Sequence, residues 1–238
     1  MLAALESQGV DTDSIIGSWT FTTQSIGAVM SAVAASVNAT NITMLDTNTD
    51  LAPTTNELNA TLSGDAKVFR GQISLPYYLS APSQQNPIAP LTTFWQGVQG
   101  SLLSQFNTTP IKTTDVVAPV ILTTPKDWSA KPASGWPVVI FQHGITADRT
   151  NVLAIADALA QAGYAAVSLD MPLHGLTEDS YFNNSGAWTE RTFSVDYVTQ
   201  NANGSIIGAE PDGNTDSSGR HFINLSSLIT TRDNLRQA

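Results

Sequence analysis

Cysteine is absent from the 238 residues, which leaves no disulfide framework and no thiol chemistry. Charge is scarce as well: Asp, Glu, Lys and Arg make up 13% of the chain, against about 25% in an average domain. Positive charge is scarcest, with ten Lys and Arg against twenty Asp and Glu for a net charge of −10. A surface of that sign argues against nucleic acid and against charge-driven attachment to an anionic membrane, so any lipid contact has to be apolar. No run of about eighteen apolar residues occurs, and MLAALESQGV at the start has no basic region followed by an apolar core. The sequence therefore encodes neither a membrane span nor a signal peptide. Two chemical signatures are also missing. Without Gly-x-Gly-x-x-Gly, dinucleotide binding has little support; without Gly-x-Ser-x-Gly, there is no elbow to present a serine nucleophile.

What is present centres on Trp136 to Gly175. Val138 to Phe141 is an apolar run too short for a helix, bounded by Pro137 and Gln142-His143-Gly144, and it predicts a strand buried on both faces of a parallel sheet. Asp148, Thr150 and Asn151 each offer a helix cap. Val152, Ile155, Ala156 and Leu159 then recur at helical spacing up to Gly163, a natural helix-ending residue. Ala165 to Leu169 predicts a second strand, ending at Asp170 and Met171-Pro172. The whole reads as one βαβ unit. His143-Gly144-Ile145 falls at the carboxyl end of its first strand, where open parallel sheets bind ligands. A glycine there allows close approach of a substrate, and the following N–H can face a developing negative charge.

Four segments, AKVFRGQISLPYYLSAP (66–82), GWPVVIFQHGITADR (135–149), GYAAVSLDMPLHG (163–175) and HFINLSSLITTRDNLRQA (221–238), together resemble the α/β-hydrolases. The likeness is to the large extracellular bacterial lipases of the virulence-factor type, which include phospholipases and surface lysophospholipases. The resemblance implies a partial α/β-hydrolase fold, with a mostly parallel sheet and flanking helices over 63–238, preceded by a linker at 1–62. It implies a carboxylic ester hydrolase acting through a serine acyl-enzyme on a lipid or other acyl ester, secreted or at the cell surface. In that family the serine, acid and histidine follow this region, so the expectation is that all three, like the export signal, lie outside this chain and that the chain alone is inactive. Within it, Ile145 is expected to give an oxyanion-hole N–H, with His143 and Gly144 forming the turn. Leu173, His174 and Trp188 are expected to line the substrate side. No cofactor or metal is implied. The alternative is a non-catalytic surface module on a hydrolase-like scaffold, since fold alone does not settle function.

The remaining sequence yields less. Alternation at 18–23 predicts a strand and 26–37 a small-residue helix, while the Thr- and Asn-rich stretch 40–61 predicts a surface connection. Ala66 to Leu79 and Val116 to Leu122 predict strands, the second at or near an edge because Pro119 cannot donate to a ladder. The long insertion at 176–220 carries Tyr181, Phe182, Trp188, Phe193 and Tyr197, either a lid over the site or residues that pack the insertion down. Asp212 to Asp216 resembles half a calcium loop, but Ser217 replaces the glycine and no Glu closes the pattern. His143 reads as holding its turn by hydrogen bonds, His174 as structural or at the rim, and Asp170 as pinning a turn. His221 has no evident partner. A last helix is predicted to be capped at Thr230 or Thr231.

Overall fold

The computed structural model describes residues 2–17, 27–177, 180–183 and 190–238. The strand expected at 18–23 and the candidate substrate contact Trp188 lie outside them. Two helices, α1 (Leu2–Glu6) and α2 (Gly27–Ser36), precede a five-stranded sheet. Its strands are β1 (Thr43–Met44), β2 (Ala66–Tyr77), β3 (Thr114–Pro125), β4 (Val138–Phe141) and β5 (Ala165–Leu169), in the order β1-β2-β3-β5-β4. Between and after them come α3 (Thr55–Leu58), α4 (Ala89–Thr92), α5 (Leu153–Gln161), the small hairpin β6 (Thr199–Gln200) and β7 (Ile206–Gly208), and α6 (Leu228–Gln237). Among the described residues no helix is long and apolar enough to cross a membrane.

The sheet corrects the expectation of mostly parallel strands. Only β4 with β5 is parallel; β1 with β2, β2 with β3 and β3 with β5 are antiparallel. Parallel pairing needs a crossover, and only the β4-α5-β5 segment has a helical one of the right length. By contrast β2 and β3 form a long antiparallel ribbon, from Ala66 opposite Pro125 to Tyr77 opposite Thr114. Pro119 does not put β3 at an edge, because β3 is the third strand of five. Its ladder to β5 begins only at Val120, so no strand asks Pro119 for a donor on that side.

The crossover forms as its residues dictate. Asp148 accepts the Thr150 N–H at 2.8 Å and starts the turn Arg149–Val152 that leads into α5. The helix ends in a Schellman motif: Tyr164 N–H reaches Leu159 O at 2.9 Å and Gly163 N–H reaches Ala160 O at 3.0 Å, with Gly163 at φ +80°. Val139, Phe141, Leu153 and Leu159 pack around buried Val68, Ile121, Val152 and Ala166. Small Ala66, Ala156 and Ala160 bring α5 close to β2. Burial of β4 on both faces is not observed. As an edge strand it turns Val139 and Phe141 into the core, while Val138 and Ile140 are 56% and 78% exposed.

The 40–61 stretch is more than a surface connection. It supplies β1 to the sheet, and Thr54 and Glu57 form a capping box on α3. Asp46 accepts from Arg70 Nη2 at 2.8 Å and from its backbone N–H at 2.8 Å, fastening this segment to β2. Asp157 of α5 gathers the N–H groups of Ser63, Asp65 and Ala66 and the Thr55 hydroxyl. Although desolvation raises its pKa, those bonds hold the carboxyl below its ordinary value.

The aromatic residues described in the 176–220 insertion pack it down. Tyr181 and Phe182 join the main core, Phe193 lies 5.6 Å from Tyr77, and Tyr197 stacks edge-on to His221 and donates to Pro87 O. At α6 the cap is Ser227, whose Oγ accepts the Thr230 N–H at 3.3 Å, rather than Thr230 or Thr231. Thr230 is buried and donates to Thr93 O instead.

Candidate active site

Two turns meet beyond the carboxyl ends of the parallel pair, 142–147 after β4 and 170–175 after β5. Each sends a histidine into the other. His143 Nε2 accepts the Met171 N–H at 3.1 Å, and its Nδ1 lies 2.8 Å from Gly144 O. His174 Nε2 accepts the Thr146 N–H at 3.2 Å, and its Nδ1 lies 2.9 Å from Pro172 O. Since Nε2 accepts in both rings and Nδ1 faces a carbonyl in both, each proton sits on Nδ1. The rings lie 5.0 Å apart and are buried. Burial pushes the His174 pKa down to about 4 despite its hydrogen bond to Pro172 O, with nearby His143 and Arg191 lowering it further.

This reciprocal clasp fixes the backbone around Ile145. Thr146 adopts φ +71°, uncommon for a residue with a β-carbon, and its N–H is taken by His174. Ala147 N–H closes back on Gly144 O at 3.1 Å. The Ile145 N–H has no hydrogen bond among the described residues, and the residue is 44% exposed. A β-carbon on Gly144 would meet nothing within 4 Å, so its missing side chain leaves open space on the approach to Ile145. A cleft of about 530 Å³ runs alongside, lined by Ile145, Thr146, Gly204, Ser217, Ser218 and Arg220 among others. An N–H with no partner among the described residues, in a residue that lines such a cleft, is suited to an oxyanion.

Of the other predicted substrate contacts, Leu173 and His174 are both buried. His174 is covered by Gly219 and Phe222: a β-carbon at Gly219 would come 2.2 Å from His174 Nε2, and the Phe222 ring lies edge-on at 5.0 Å. Ser218 completes this cover, donating to Ala147 O at 2.6 Å and accepting the Gly175 N–H at 3.2 Å.

Beneath the turns lies a charge cluster that the sequence did not reveal. Arg149 is 1% exposed, and its guanidinium joins Asp170 and Glu190, with Glu190 oxygens at 2.6 and 2.7 Å. Asp170 also accepts the Arg149 N–H at 2.7 Å, which makes it the pin of a turn. Arg191 donates to Asp170 O. His221 gains a partner, Asp216, at 2.7 Å. The Asp212 and Asp216 carboxylates serve their own loop: Asp212 accepts from Gln200 and Asn214 N–H, and Asp216 from Tyr197 N–H and Gln200 Nε2. No cluster of three or more acidic or histidine side chains placed to hold a metal occurs among the described residues. A signal for the Arg149 cluster was present in the unusual placing of an arginine directly after a helix-capping aspartate, but its partners lie 21 and 41 residues away.

Known proteins give one point of comparison. Residues 64–175, just under half of the chain, match the family model of platelet-activating factor acetylhydrolase, isoform II. The matched span runs from the residue pair before β2 through the His143-Gly144-Ile145 turn to Gly175, and so contains both histidines of the clasp. No curated protein and no solved structure matches. The match supports a hydrolase of the phospholipase-like kind.

Proposed function

We propose that this chain forms the substrate side of a secreted or surface phospholipase-like ester hydrolase, related to the bacterial virulence-factor-type lipases. The carrying observation is the Ile145 N–H, without a hydrogen bond among the described residues, in a cleft-lining turn held by two backbone-anchored histidines. A serine hydroxyl, losing its proton to a base, would attack the ester carbonyl carbon. The carbonyl π pair would move to oxygen, and that oxyanion would lie against the Ile145 N–H before the alkoxide leaves. Because residues 1–238 hold no Gly-x-Ser-x-Gly, the reading assigns the nucleophile, its acid and its base to residues beyond them. The acyl substrate is a lipid ester, as the acetylhydrolase match suggests.

The test is one assay on a soluble short-chain ester with three proteins: 1–238, a form extended to include an elbow serine, and the extended form bearing Ile145→Pro. Turnover is expected only from the extended form. Ile145→Pro should lower kcat by about 10²- to 10³-fold, with thermal unfolding confirming that the variant folds. Saturable turnover by 1–238, or near-normal kcat in the folded proline variant, would overturn the reading.

A further inference from the structure

The cleft at Ile145 contains a positive charge that no carboxylate among the described residues neutralises. Arg70, Arg149, Arg232 and Arg236 are each paired with an aspartate or glutamate, and Arg191 is buried against a backbone carbonyl. Arg220 lines the cleft and has no ion-pair partner among the described residues, in a chain that carries twice as many acids as bases. Its Nη2 donates to Gly204 O, its Nε is buried without an acceptor, and its Nη1 makes no hydrogen bond among the described residues. The nearest acid in sequence, Asp216, is committed to Tyr197, Gln200 and His221. The two serine hydroxyls of the cleft are also occupied, Ser217 by Gln200 and Ser218 by Ala147 O.

An arginine whose Nη1 makes no hydrogen bond among the described residues, on the wall of the cleft that Ile145 also lines, has a definite chemical preference. Its planar fork matches the paired oxygens of a phosphate, and charge-assisted hydrogen bonds of that kind are the strong ones. Resting on the ester-hydrolase reading above, we propose that Arg220 receives the phosphate of the substrate while the Ile145 N–H receives its carbonyl oxygen. The cleft thereby selects acyl esters that carry a phosphate a few bonds from the scissile carbonyl over neutral acyl esters of the same chain length.

Binding can be measured on 1–238 itself, by calorimetry or amide chemical shifts, with three probes below their micelle concentrations: a short-chain diacylglycerophosphate, the diacylglycerol with the same acyl groups, and inorganic phosphate. The phosphate ester should bind about tenfold or more tightly than the neutral ester, and the difference should shrink as salt is raised. Arg220→Met should bring the phosphate ester down to the affinity of the neutral one, and Arg220→Lys, which keeps the charge without the fork, should recover only part. Since Arg220→Met also removes the bond to Gly204 O, Arg220→Lys and the salt series carry the test if the methionine variant unfolds. Equal binding of the two esters by the wild-type chain overturns the role of Arg220 and leaves the ester reading standing. Binding of inorganic phosphate as tight as the phosphate ester would show a free-phosphate site and overturn the substrate assignment. Failure of both esters to bind would overturn both readings.

Discussion

A single proton decides the geometry of the turn at Ile145. His174 Nε2 can accept the Thr146 N–H only while it is unprotonated; protonated, it would set one N–H against another. Its folded pKa is lowered from 6.5 to about 4, so the sign of the pH effect follows. Above pH 6.5 the ring is neutral in the folded and unfolded chain alike, and its contribution is complete. As pH falls from 6.5 towards 4 the unfolded chain takes up the proton first, and stability is lost, on the order of 2–3 kcal/mol over the window. Comparing wild type with His174→Gln by chemical denaturation isolates this effect from other titrations. The wild type's advantage at pH 7.5 should shrink steadily towards pH 4.5. A constant difference across that range would mean that His174 does not enter the fold as a buried neutral ring.

At the scale of elements, the Arg149 cluster joins three pieces that are distant in sequence: the entry to α5, the end of β5 and the segment at 190–191. Breaking a buried pair from one side leaves charges without partners, typically at a cost of about 3–5 kcal/mol. Arg149→Met is thus expected to lower the unfolding temperature by on the order of 10 °C, and adding Asp170→Asn and Glu190→Gln should recover part of the loss. No recovery in the triple variant would place the damage in packing and not in stranded charge. The same cluster marks where the sequence stops being legible. The β4-α5-β5 unit could be read as strand, helix and parallel strand, because its caps, its apolar period and Gly163 are local signals, but the exposed face of β4 could not. The strand order could not, since the antiparallel β2-β3 ribbon depends on pairing across a long connection that carries no periodicity. Pro119 misled because its edge preference holds only where a neighbouring strand needs its donor. The turn at Ile145 was legible from His143-Gly144; its anchoring through His174 was not, nor was the cover by Ser218 and Gly219, which comes from a segment with no regular pattern at all.

For the molecule as a whole, a net negative charge and an incompletely covered sheet pull in opposite directions. A net charge of −10 keeps copies apart. Against it, β4 presents an outer edge that pairs with no strand among the described residues, next to Val138 and Ile140 on an exposed apolar face. Unpaired backbone groups beside apolar side chains form a template for a second strand, and natural edges are commonly guarded by a charge such as lysine. The charge repulsion is long-ranged and weakens in salt, whereas strand addition is short-ranged and does not. Self-association of 1–238 through β4 is therefore expected to grow as ionic strength rises. Ile140→Lys places a guarding charge on that face at a position 78% exposed, where a substitution should change stability by no more than about 0.5 kcal/mol. Light scattering over a salt series should then show less association for the variant than for the wild type, with the two unfolding temperatures nearly equal. Equal association of the two proteins in high salt would show that β4 is not the surface through which copies meet.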